Sequence, residues 1–225
     1  MNKILLSFVI PVFLVFFFSC ASVPPQQEPI PEPPQPVITV ITPEQPQPPP
    51  VIIPVPPEKP DIPEHIMGKG RVDTEKLALF LLQNNPNLDQ NFARTLAGLY
   101  IEEALFEGVD HDIAFTQMCL ETGFLRFGGD VKPEQNNFAG LGAIGNGEPG
   151  LSFPDPRTGV RAQIQHLKAY GSEEPLKGEL VNPRFRFVRR GSAPTIEGLA
   201  GTWAVDNQYA VKINSILQRL YDFSF

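Results

Sequence analysis

Cysteine is scarce in this chain. Cys20 and Cys119 are its two cysteines in 225 residues, which excludes a disulfide framework and a four-cysteine zinc site. Histidine is little better supplied. His65, His111 and His166 show no HExxH or HxxEH spacing, so a metalloenzyme is not expected; no organic cofactor is implied either. Positive charge is short as well: 18 basic residues face 25 acidic ones, for a net charge of -7 and a pI near 5.0. That balance argues against nucleic acid as a partner, since phosphates are neutralised by clustered Lys and Arg. It also excludes a polybasic membrane surface. The apolar run Ile4 to Phe18 holds 15 residues, fewer than the ~20 a bilayer-spanning helix needs. No internal repeat is visible.

Proline is what the chain has in excess. Of 26 prolines, 17 fall between Ser22 and Ile66 and only eight lie beyond. Their placement divides the chain into three parts. Residues 1–19 read as an export signal: a basic start at Lys3, then an apolar stretch of signal-peptide length. Phe17-Phe18-Ser19-Cys20 resembles the cleavage box of a bacterial lipoprotein, with Phe17 where that box usually has an aliphatic residue. The resemblance implies that Cys20 is lipidated and becomes the first mature residue. An ordinary signal peptide with an incidental cysteine, or an uncleaved anchor, also exports the protein. Residues 20–63 are a disordered Pro-rich linker, because proline fixes φ and removes backbone donors. As polyproline II, about forty residues at about 3.1 Å each reach roughly 120 Å. That length suits a tether between a lipid anchor and a more distant layer.

Residues 64–225 carry 16 basic and 20 acidic side chains and enough chain for one core. The pattern is mainly α. Asp73 and Thr74 start a helix, TEKLALFLLQNN, stopped near Pro86. Asp89 starts QNFARTLAGLYIEEALFEG, ended at Gly108. Asp110 caps HDIAFTQMCLET, ended at Gly123. The third of these is apolar nearly all round and so is expected to run through the core. Residues 124–156 are glycine-rich and irregular, which in a compact domain usually marks function. Further helices are expected near Thr158 to Tyr170, in TIEGLAGTWAV (195–205), and in NQYAVKINSILQRLYDF (207–223).

Glu121 is the anomaly. It follows the apolar run Phe115 to Leu120 in the last turn of a helix. Burial, the negative helix end and any nearby carboxylate would all raise its pKa. A carboxylic acid kept protonated near neutrality is what general-acid cleavage of a glycosidic bond requires. A buried glutamate paired with an arginine for structure is the other reading of the same residue.

Three blocks bear on that choice: Thr116-Gln117-Met118-Cys119-Leu120-Glu121-Thr122-Gly123, Asn136-Asn137-Phe138-Ala139-Gly140-Leu141-Gly142, and Trp203-Ala204-Val205-Asp206-Asn207-Gln208-Tyr209-Ala210-Val211-Lys212-Ile213. In this order they resemble the glucosaminidase family of peptidoglycan hydrolases. The resemblance implies a lysozyme-like helical domain with a short irregular or β-hairpin lobe. It also implies glycan cleavage of the endo-β-N-acetylglucosaminidase type with Glu121 as general acid. Asn137, Phe138, Trp203 and Tyr209 would bind substrate. Trp203 stands where the family has a tyrosine, so it would stack or pack rather than offer a hydroxyl. Tyr209 reads equally as core.

A second carboxylate is sought in the loop, where Asp130, Glu134, Glu148 and Asp155 lie. Glu148 and Asp155 are the candidates, each with a plainer reading as a solvated charge or a helix cap. Cys119 reads as a small buried hydrophobe and His166 as a hydrogen-bonded histidine. The basic stretch Arg184, Arg186, Arg189, Arg190 is either solvated or meets the acidic peptide stems of the cell wall. The expected partners are therefore peptidoglycan strands and, through Cys20, a membrane, with the protein a monomer on the periplasmic face of an outer membrane where one exists. Rival readings are a non-catalytic wall-binding module on the same fold, and an amidase acting on the link between sugar and peptide.

Overall fold

The structure, a computed structural model, describes residues 59–145 and 147–225. The signal segment, Cys20 and the linker as far as residue 58 lie outside the described residues. Five α-helices follow: α1 Thr74–Asn84, α2 Gln90–Glu107, α3 His111–Thr122, α4 Pro156–Gly171 and α5 Tyr209–Ser224. Short 3-10 turns occupy Pro133–Gln135, Phe185–Phe187 and Glu197–Leu199.

Aspartate starts four of the five helices. The side chains of Asp73, Asp89, Asp110 and Asp155 accept hydrogen bonds from the free N–H groups of the first turns of α1, α2, α3 and α4. Gly108 and Gly123 end α2 and α3 in the left-handed conformation, at φ 82° and 58°. α3 is the axis of the domain. Every side chain from His111 to Cys119 is buried, and α2 and α5 pack on it while α1 and α4 pack on α2. The core includes Leu77, Leu81, Leu96, Tyr100, Phe115, Ile164, Leu217 and Tyr221.

Two ion-pair systems sit inside this frame. Lys168 Nζ lies 2.9 Å from the Glu107 carboxylate with both groups buried. Glu103, also buried, takes Arg157 and Arg161 at 2.7 and 2.8 Å. The packed unit starts earlier than residue 64. Ile62 lies against the core and Lys59 pairs with Asp222.

The helix expected over 195–205 does not form. A single 3-10 turn at Glu197–Leu199 is followed by a bridge between Ala200 and Ala204. Gly198 and Gly201 weaken a helix here, and Gly201 takes φ +80°, which breaks it. The glycine-rich lobe is irregular. Its one pairing among the described residues is the isolated bridge Gly145↔Glu148.

Candidate active site

The site begins where α3 stops. Thr122 Oγ1 donates to Met118 O at 2.7 Å and accepts from Leu125 N at 2.9 Å. This hydroxyl holds a left-handed turn in which Gly123, Phe124 and Leu125 all have φ near 60°. Two non-glycine residues there cost about 1–2 kcal/mol each. Asn85 secures the turn by donating to Phe124 O at 2.8 Å, and the Phe124 ring packs on Phe80. The turn carries the chain sharply away and leaves Glu121 facing a cleft.

The opposite wall is the 136–142 segment. Asn137 is buried and clamps its own loop: Oδ1 accepts from Leu141 N, and Nδ2 donates to Leu141 O and Leu151 O, all within 2.9–3.0 Å. Asn136 donates to Phe153 O at 3.0 Å. The segment lies hard against α4, where a Cβ on Gly159 would come 1.8 Å from Asn136 O. Only glycine permits that approach.

A cavity of about 340 Å³ opens between these walls, with Glu121, Asp130, Asn137, Gly140, Trp203 and Tyr209 in its lining. The Trp203 indole N–H donates to Glu121 Oε1 at 3.0 Å. The Tyr209 hydroxyl donates to the same oxygen. No cation pairs with this carboxylate among the described residues, which removes the arginine-paired reading. Solvent reaches Glu121 from the cleft, but protein closes round it on the other sides. Burial lifts its pKa above the ordinary glutamate value, and the bonds from Tyr209 and Trp203 oppose the rise without cancelling it.

The two donors also decide which oxygen a proton would occupy. A carboxyl group that accepts two hydrogen bonds on one oxygen carries its proton on the other. That oxygen is Oε2, which lies beside Gly140: a Cβ there would stand 3.7 Å from it. A proton on this carboxyl would therefore sit beside a residue without a side chain.

Behind the site runs a buried chain of hydrogen bonds. Tyr100 O–H donates to Gln163 Oε1 at 2.6 Å, and Gln163 Nε2 to Gln117 Oε1 at 2.8 Å. Gln117 Nε2 donates to the Tyr209 oxygen at 3.0 Å, and Tyr209 O–H to Glu121. Every donor points the same way, so each amide's orientation is fixed and the Tyr209 hydrogen is aimed at Glu121. Burial, and then the adjoining Glu121, holds the Tyr209 phenol protonated well above its usual range.

The structure thus brings together Glu121, Asn137, Trp203 and Tyr209. It does not bring in the other three expected residues. Phe138 is a core residue, buried beneath α4, because the glycine at 159 lets the loop sink there. Asp155 is the N-cap of α4, accepting from Thr158 N and Oγ1 at 2.9 Å. Those bonds hold its pKa below the ordinary aspartate value. Glu148 sits exposed on the loop, bridged to Gly145 and outside the cavity lining. The carboxylate that does line the cavity with Glu121 is Asp130. Gln163 was not singled out by the sequence, and Gln117 stood in the first quoted block without a role; the available signal was that Gln117 stands four residues before Glu121, on the same helix face.

A cleft carboxyl of raised pKa, with an indole and a phenol as its hydrogen-bond donors, is a group able to hold and release a proton. The chain belongs to the glucosaminidase family. The family profile described as mannosyl-glycoprotein endo-beta-N-acetylglucosaminidase matches residues 97–222, from within α2 nearly to the end of α5, and so covers every residue of the cavity named above. This makes the protein a hydrolase of the glycosidase type. It is also similar to an uncharacterized protein of Borreliella burgdorferi, 46% identical over 159 residues that cover 71% of this chain and 78% of the relative. No solved structure matches it.

Proposed function

We propose that this protein is a peptidoglycan hydrolase that cuts the glycan strand at the β-1,4 bond after N-acetylglucosamine, with Glu121 as general acid. The observation that carries the reading is the Glu121 carboxyl group, raised in pKa, held at Oε1 by Tyr209 and Trp203, and open at Oε2. Oε2 gives its proton to the glycosidic oxygen as the bond from that oxygen to the sugar C1 breaks. The carboxylate left behind is stabilised by the same two donors, whose hydrogen bonds strengthen when the acceptor is charged. Burial keeps the proton in place before the reaction, and Tyr209 and Trp203 ease its release.

Water, or the substrate's own 2-acetamido oxygen, attacks C1 from the other face. Asp130, which also lines the cavity, would take the proton from that water. The indole of Trp203 offers an apolar face for a sugar ring.

The test is mass spectrometry of the fragments that the purified protein releases from peptidoglycan. N-acetylglucosamine at the new reducing ends is expected. N-acetylmuramic acid there would move the cut to the other bond, and the release of free peptides with uncut glycan would replace this reading by an amidase. The export signal and Cys20 add a location: the enzyme is held to a membrane by lipid at Cys20 and reaches the wall on its Pro-rich tether. Cys20→Ser should move the protein from the detergent phase to the aqueous phase, and unchanged partitioning would contradict the anchor.

A further inference from the structure

A second cavity of about 220 Å³ lies on the other side of Trp203. It shares with the acid cleft the Trp203 indole and residues from the 139–143 segment. His166, Tyr170, Arg184 and Thr202 complete it, and none of its lining residues is acidic. The rings of His166 and Tyr170 stand against the indole at centroid distances of 4.9 and 5.8 Å. Trp203 is therefore a partition between two rooms, one with an acid and one without.

In the second room the Tyr170 and Thr202 hydroxyls donate to Thr202 O and Gly198 O, which leaves Arg184 and His166 as its free side-chain donors among the described residues. Arg184 has no ion-pair partner among the described residues, and its guanidinium stands over Phe187 at 5.3 Å. Asn182 sets the histidine. Its Oδ1 accepts from Arg184 N at 2.9 Å, which turns its amide nitrogen to donate to His166 Nδ1 at 2.8 Å. With Nδ1 accepting, the imidazole proton is on Nε2, which has no partner among the described residues. Burial, then the Arg184 charge, pushes the His166 pKa down to about 4, so the ring stays a neutral donor at physiological pH. Arg186, Arg189 and Arg190 are not among the residues that line this cavity. Arg190 bonds to Ser172 O and Glu174 O under the Phe185 ring, and Arg186 lies over Phe187. Arg184 is the member of the stretch that faces the cavity.

We propose that this cavity is a subsite for a carboxylate on the peptide branch of the glycan substrate, bound by the Arg184 guanidinium and the His166 Nε2–H. The proposal rests on the reading of the protein as a peptidoglycan hydrolase. A wall glycan carries an acidic peptide on alternate sugars. A strand lying across Trp203 with its scissile oxygen at Glu121 would project such a branch beyond the indole. A free guanidinium beside a fixed N–H donor suits a carboxylate, and the absence of acidic lining removes the repulsion that would otherwise oppose it.

The test uses the full chain carrying Glu121→Gln, so that ligand is bound and not cut. Three soluble disaccharide fragments of peptidoglycan serve as probes: one with its acidic peptide, one with the peptide carboxylates converted to amides, and one without peptide. The acidic fragment is expected to bind about tenfold more tightly than the amidated one, the size of one charge-assisted hydrogen-bonded contact near the surface. Adding Arg184→Gln should bring that ratio close to one, and Arg184→Lys should restore part of it, with melting temperatures matched across the series. A ratio near one in the parent, or a tenfold ratio that survives Arg184→Gln, overturns the subsite while glycan binding and the released reducing ends still support the hydrolase. Failure to bind any of the three fragments, with no glycan released by the wild type, overturns both.

Discussion

α2 and α3 end in similar ways but carry carboxylates of opposite character. Glu107 is the last residue of α2, before the left-handed Gly108. Glu121 stands one residue from the end of α3, before Thr122 and the left-handed Gly123. Both sit at the negative end of a helix, and burial pushes both pKa values up. At Glu107 the push is overcome by the backbone N–H groups of Lys177 and Gly178 and by the ammonium of Lys168, and the carboxyl falls below the ordinary range. At Glu121 the donors are a phenol and an indole, both neutral, and the carboxyl stays above it. A full positive charge with backbone donors makes a structural carboxylate. Neutral donors on one oxygen leave a carboxyl of raised pKa.

The largest expected effect is on catalysis. Glu121→Gln should lower turnover of purified peptidoglycan by about 10²–10⁴-fold, the range for loss of an acid–base group, while melting of the same sample stays level or rises. Full turnover in the folded variant would break the contrast. The matching change at the other helix end acts on stability. Lys168→Met leaves the Glu107 charge buried without its cation, and unfolding in denaturant should show a loss of about 3–5 kcal/mol. Turnover per folded molecule should hold, because Lys168 lines neither cavity.

The pH dependence of stability should separate the two glutamates. The Glu107 pKa is lowered on folding, so its contribution is present at neutral pH and is lost as pH falls through the ordinary glutamate range towards the folded value. The Glu121 pKa is raised, so it lowers stability as pH rises from the ordinary value to the folded one. Unfolding free energies of wild type and Glu121→Gln should therefore diverge in the variant's favour over that rise and run parallel below it.

Tyr209→Phe sharpens the comparison further. It removes the hydroxyl that opposes the effect of burial, so the alkaline limb of the rate profile should move to higher pH. Turnover should fall by about tenfold, the worth of one hydrogen bond to a charged group. The smallest effect belongs to Asp155→Asn. Asparagine caps a helix about as well as aspartate, so stability should change by less than about 0.5 kcal/mol and turnover should be unaffected. A large loss of turnover would return Asp155 to the chemistry.

The helical frame was legible because its signals are local. Asp73, Asp89 and Asp110 mark starts, Gly108 and Gly123 mark stops, and the apolar centre of α3 announces its burial. The 195–205 segment misled because its apolar spacing suggests a helix while Gly198 and Gly201 deny it one. Glu121 was legible as a carboxylate at the end of an apolar run. Trp203 and Tyr209 were reached through the resemblance, and the structure places both on Glu121. Phe138 looked like a cleft residue because it lies in the loop. Its burial depends on Gly159, a contact between segments 21 residues apart that no local pattern reveals. The run from Tyr100 through Gln163 and Gln117 to Tyr209 joins four helices, and its geometry exists only once they have crossed.

The central proposal is that partial burial in the cleft wall, with no cation beside it among the described residues, raises the Glu121 pKa enough for it to act as the acid. Its most direct test is a carbon NMR titration of the Glu121 carboxyl in the free protein, assigned by the signal that disappears in Glu121→Gln. The account predicts a midpoint clearly above the ordinary glutamate value of about 4.3, coincident with the alkaline limb of kcat/KM, which reports the free enzyme. A midpoint at or below the ordinary value would mean that Glu121 is ionised at neutral pH like Glu107, and would contradict its role as the acid.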